Sequence, residues 1–65
     1  MKLVHKDTQI EVKIGDKLVS FRNEQMTCTG MAVPHKEGST GRVFVRNGTF
    51  NQVFFPSVFD LEWKG

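Results

Sequence analysis

Apolar residues in this chain recur at every second position, and no stretch repeats them at the three-and-four spacing of an amphipathic helix. The clearest case is Gln9-Ile10-Glu11-Val12-Lys13-Ile14, where polar and apolar residues alternate over six positions. Side chains in an extended chain point to opposite faces in turn, so this is the pattern of a strand with one buried face. Gly15-Asp16 then supplies a tight-turn pair. A chain patterned in this way is restricted to sheet.

The remaining segments read the same way. A second strand runs from Lys17 to Arg22 and turns at Asn23-Glu24-Gln25. A third covers Met26 to Val33, with Gly30 in its middle marking a bulge or a sharp bend. Pro34 to Gly41 is an eight-residue loop, and a fourth strand follows from Arg42 to Arg46. Asn47-Gly48 is a strong hairpin signal of type I′, and the returning strand lies within Thr49 to Phe55. A strict two-residue loop there sets Val45 opposite Phe50 but Val43 opposite Gln52, which predicts a bulge or a longer loop before Val53. Phe55 to Asp60 reads as one helical turn, because Pro56 cannot donate inside a sheet. Leu61 to Lys64 is a short last strand. The expected fold is all-β: one domain over residues 1–65, a small, strongly bent antiparallel five-stranded barrel with one short helical turn near the C-terminus.

Size and composition narrow the function. A 65-residue chain buries only about 60% of its unfolded surface, which leaves no room for both a core and a deep substrate cavity. The expectation is therefore a protein that is not an enzyme. One cysteine, Cys28, cannot form an internal disulfide, which favours a reducing, cytoplasmic setting. Cys28, His5 and His35 are too few for a four-ligand zinc site, so no metal or other cofactor is expected. Leu3 and Val4 do not make a signal-peptide core, and apolar runs elsewhere reach three residues, as in Val53-Phe54-Phe55, so no membrane segment is expected. Nine Lys and Arg against seven Asp and Glu give a net charge of +2. That excess permits nucleic-acid binding without demanding it, so the distribution of charge matters more than its sum.

The order of strand, Gly-Asp turn, paired strands, hairpin, helical turn and final strand resembles the SH3-like barrels, including KOW-type modules. Two stretches carry a closer likeness: Val12 through Arg22, and Gly38 through Val45 continued by Phe54 through Trp63. Together they look like a group of short bacteriophage-encoded proteins of unassigned role. That resemblance implies a phage accessory protein acting in the bacterial host cytoplasm, and it implies no catalytic activity. The tandem-glycine and basic signature of a ribosomal KOW motif is incomplete in this chain.

The candidate site residues centre on the fourth strand. With Val43 and Val45 facing the core, Arg42, Phe44 and Arg46 share the opposite face. A guanidinium–aromatic–guanidinium stripe stacks on bases and neutralises phosphates. His35 and Lys36 in the preceding loop extend it, and no acidic residue occurs between Glu37 and Asp60. The bland alternatives are a solvated edge strand, whose charges discourage edge pairing, or the opposite register with Phe44 inside. Gly38-Ser39-Thr40-Gly41-Arg42 is either a backbone nest for an anion or a flexible turn. Cys28 with His35 is either a nucleophile and its base or, more simply, a small buried hydrophobe and a loop histidine. Asp60 caps the local turn. Six Phe and one Trp exceed what so small a core holds, and Phe44, Phe50 and Phe54 are the expected exposed aromatics, unless Phe50 folds over the hairpin.

The leading expectation is a protein-binding module that docks on a bacterial host protein or complex and modulates it. The alternative is a nucleic-acid binder using the Arg42/Phe44/Arg46 face. A structural or self-associating phage protein, a homo-oligomer, comes third.

Overall fold

Six strands and one turn of 3₁₀ helix make up the computed structural model, which describes all of residues 1–65. In chain order they are β1 (Lys2–His5), β2 (Lys17–Val19), β3 (Gln25–Ala32), β4 (Arg42–Asn47), β5 (Phe50–Phe54), the 3₁₀ turn (Pro56–Phe59) and β6 (Leu61–Lys64). They form two antiparallel sheets, one of β1 and β6 and one in the order β2-β3-β4-β5. The all-β class and the helical turn agree with the sequence reading. The closed five-stranded barrel does not: there are six strands, and the ladder of hydrogen bonds does not run round into a barrel. The interruption falls between β5 and β6. Pro56 has no N–H to give, the chain winds into the 3₁₀ turn, and β6 leaves to pair with β1 instead.

The first predicted strand is also corrected. Of the alternating residues Ile10, Val12 and Ile14, only Val12 is buried. Gln9 adopts φ 62°, which breaks the extended chain, and its side-chain amide donates to the Lys6 carbonyl (3.0 Å) and to Glu62 Oε2 (2.8 Å). The segment therefore doubles back. His5 N–H donates to Ile10 O, Val12 N–H donates to Leu3 O, and Glu11 makes a single bridge to Val4. Asp16 closes the next turn by accepting the Lys13 N–H at 2.9 Å. The real first strand is Lys2–His5, whose Leu3 and Val4 are both buried.

The core joins the two sheets. Leu3, Val12, Leu18, Met26, Cys28, Val43, Val45, Phe59 and Leu61 form one cluster, with Met31, Phe54, Val58 and Trp63 packed against it. Each large side chain so buried contributes about 1.5–3 kcal/mol. A bulge in β3 makes this possible. Cys28 pairs with Val45 and Gly30 with Phe44, so Thr29 is the extra residue. The insertion shifts the parity of the strand, and Met26, Cys28 and Met31 all face inward although their spacings are two and three.

The hairpin between β4 and β5 needs no bulge. Its two-residue loop is Gly48-Thr49, one place later than the sequence reading sets it, and the register runs unbroken from Asn47↔Phe50 to Val43↔Phe54. Gly48 has φ 64°, the positive angle that glycine supplies at the first position of a type II′ turn.

Candidate binding face

Val43 and Val45 are fully buried, so Arg42, Phe44 and Arg46 do share the outer face of β4. The register then assembles their neighbours. Phe44 stands between Gly30 of β3 and Val53 of β5, and Arg46 stands between Thr27 and Asn51. Gly30 has no side chain to cover Phe44, whose ring carbon Cδ2 would lie 3.5 Å from a Cβ placed there. Phe44 thus lies against open backbone and stays partly exposed. Counting one step past the last paired residues of the hairpin brings Arg42 opposite Phe55. The Arg42 guanidinium lies 4.4 Å from the centre of the Phe55 ring, a cation–π stack.

The cations on this face have neutral partners. Arg42 donates to the Gly41 carbonyl at 2.8 Å, Arg46 Nε donates to the Gly48 carbonyl at 3.0 Å, and Lys17 Nζ donates to Thr27 Oγ1 at 2.9 Å. These bonds fix the direction of each side chain and leave its charge uncancelled. None of the strand residues on this face is acidic. The result is a shallow surface of three cations, two aromatic rings and Val53.

The loop before β4 borders the same surface. His35, Lys36 and Arg42 line one open cleft of about 290 Å³, and Lys36, Arg42 and Phe55 line another of about 400 Å³, which Glu37 also borders. The loop is fastened at its far end by Trp63, whose indole Nε1 donates to Thr40 O at 2.8 Å. Ser39 adds a local turn, accepting the Gly41 N–H on its hydroxyl at 3.2 Å.

The other expected residues are placed elsewhere. Phe54 turns inward, half-buried, with its ring edge-on to Phe59 at 5.6 Å, so the expectation of an exposed Phe54 is corrected. The register explains it: Phe54 is opposite Val43, an inward position. Phe50 is 73% exposed at the tip of the hairpin and does not fold over it. Phe55 and Lys17, which the sequence reading passed over, take part in the face; placing the hairpin loop at Gly48-Thr49 would have found Phe55 by simple counting. Cys28 is fully buried, and its thiol makes a 3.6 Å contact with the Gly30 carbonyl inside the bulge, while His35 is exposed in the loop. Burial pushes the Cys28 thiol above its ordinary value; the Gly30 contact opposes the rise and the Asp16 carboxylate adds to it. A buried thiol held protonated is a poor nucleophile. Asp60 caps the 3₁₀ turn with its backbone, its N–H directed at Pro56 O and Ser57 O while its own φ is 58°.

Comparison with known family models, curated proteins and solved structures gives no match.

Proposed function

We propose that this chain is a non-enzymatic binding module whose outer sheet face takes a single strand of nucleic acid. The observation that carries the reading is the Arg42–Phe55 stack beside Phe44, on a face whose cations are all partnered by neutral groups. Exposed bases stack on flat rings and guanidinium planes, and the phosphates between them seek unneutralised cations. An open sheet face bordered by shallow clefts suits a flexible strand better than a small metabolite. The order of elements, which resembles that of SH3-like and KOW-type modules, accords with this use.

The test is fluorescence anisotropy of a labelled oligo-dT or oligo-U against a salt series. With Lys17, Arg42 and Arg46 engaged, log affinity should fall with log salt at a slope of about −2, the value for roughly three phosphate contacts on a single strand. Arg42→Gln with Arg46→Gln should reduce that slope by about 1.4 and remove most of the binding. Absence of binding at low salt would sink the reading.

A second reading rests on the apolar centre of the same face, where Phe44, Val53 and Phe55 adjoin. Such a patch rimmed by cations fits an acidic surface on another protein. With the resemblance to phage-encoded proteins, that partner would be a bacterial host protein or complex in the host cytoplasm. Capture of one protein from bacterial lysate that survives nuclease and high salt, and is lost in Phe44→Ala, favours this reading over the first.

A further inference from the structure

We infer that the free edge of β5 is a self-pairing surface, and that two copies of this chain join there into one eight-stranded sheet. The two edges of the four-stranded sheet are unlike. The β2 edge is three residues long and carries Lys17, both ordinary protections against edge pairing. The β5 edge has none. Phe50-Asn51-Gln52-Val53-Phe54 contains no charge, no proline and no bulge.

The backbone of β5 is ready for a second strand. A two-residue hairpin closes on a hydrogen-bonded pair, here Asn47 and Phe50, and antiparallel bonding then alternates along the strand. Phe50, Gln52 and Phe54 therefore direct their N–H and C=O groups to β4. Asn51 and Val53 direct theirs outward.

The side chains are matched about one point. Residues equidistant from Gln52 on one face are the same, Phe50 and Phe54. A two-fold axis at Gln52 sets Gln52 against its copy, Asn51 against the partner's Val53, and Phe50 against the partner's Phe54. Every outward backbone group of Asn51 and Val53 then finds a partner, and no like charges meet. The side chains also have somewhere to go. Gln52 and Phe54 line an open cleft of about 350 Å³, with Met26 and Val58 among its walls. In this register the Phe50 ring of the partner enters beside Phe54, which covers an aromatic now 73% exposed. The contact is small, so the dissociation constant should be on the order of 10–100 µM.

Sedimentation of the whole chain over a concentration series tests this. The wild type should pass from the 7.4 kDa chain mass to double that mass. Gln52→Lys and Gln52→Glu each set two like charges face to face and should weaken dimerisation at least about tenfold. An equimolar mixture of the two variants should restore it. Gln52 is exposed, so at concentrations well below the dissociation constant both variants should keep the wild-type melting curve. As a second measurement, Gln52→Cys should give a cross-linked dimer on mild oxidation, because residues directly opposite at a non-hydrogen-bonded position come close enough for a disulfide. A wild type that stays monomeric throughout overturns the proposal. So does a Gln52→Lys variant that dimerises as tightly as the wild type. The measurement uses no nucleic acid, so its outcome is separate from the fate of the binding face.

Discussion

Trp63 fills the space that a side chain on Gly41 would need. A Cβ at Gly41 would lie 2.9 Å from Trp63 Cζ2 and 2.5 Å from the Ala32 carbonyl oxygen, and the residue has φ 71°. The same indole holds the loop by its bond to Thr40, two residues before the arginine that stacks on Phe55. The half-buried tryptophan of the last strand thus fixes the backbone from which β4 and Arg42 start.

Gly41→Ala should therefore be costly. It meets backbone on one side, a bulky ring on the other and an unfavourable φ, and a loss of about 2–4 kcal/mol is expected. Gly30→Ala is the control. Its Cβ meets Phe44 at an ordinary 3.5 Å and its φ is not in the left-handed region, so a change within about 1 kcal/mol is expected. Urea denaturation midpoints of the two variants separate the two cases.

The stack between Arg42 and Phe55 should be visible in binding as an effect distinct from charge. Arg42→Lys keeps the cation and loses the planar group, so the salt slope should stay the same while affinity falls by a few-fold, worth about 1 kcal/mol. Arg46→Gln removes a cation and should lower the slope by about 0.7. Anisotropy titrations at several salt concentrations distinguish the two.

Ser20 is the one polar side chain in the buried set, and its hydroxyl accepts the N–H groups of Arg22 (3.2 Å) and Glu24 (3.3 Å). It builds the turn that joins β2 to β3. Ser20→Ala strips both bonds from that turn and should cost about 1–2 kcal/mol. A fall in Tm of roughly 4–8 °C for each kcal/mol lost is the expected reading for a chain of this size.

The Cys28 thiol makes stability depend on pH in a defined direction. Its ionisation is raised in the folded chain, so the folded form keeps its proton at a pH where the unfolded form gives it up. The contribution is complete below the ordinary thiol range and declines as pH rises beyond about 9. Comparing the wild type with Cys28→Ala from pH 8 to 10 by denaturant titration should show the steeper decline in the wild type, since the thiol is the only group that differs between them. The variant itself starts about 1–2 kcal/mol lower from the lost packing. Equal slopes would mean that the thiol ionises as readily inside the fold as outside it.

Much of the fold was written in the alternation of residue types. Arg42–Asn47 and Leu61–Lys64 follow it closely, and the bulge at Thr29-Gly30 was marked by the glycine itself. Two segments misled. Gln9 to Ile14 alternates faultlessly, yet a positive φ at Gln9 sets the direction of the chain, and a glutamine, unlike a glycine or an asparagine, gives no sign of that in its side chain. Lys2 to His5 has too few residues for a period to show, and it becomes a strand only because β6, some sixty residues on, pairs with it. The stripe of Arg42, Phe44 and Arg46 was legible because it lies within one strand. Phe55 was not, because a loop placed one residue early slides the returning strand by two places and sets Val53, in place of Phe55, opposite Arg42.

The pairing of β1 with β6 has a consequence for how the molecule folds. Leu3 and Trp63 face each other across some sixty residues of chain. Closing so long a loop costs chain freedom before the contact can repay it. Until the two segments meet, one wall of the interior stands open and the loop before Arg42 has no anchor.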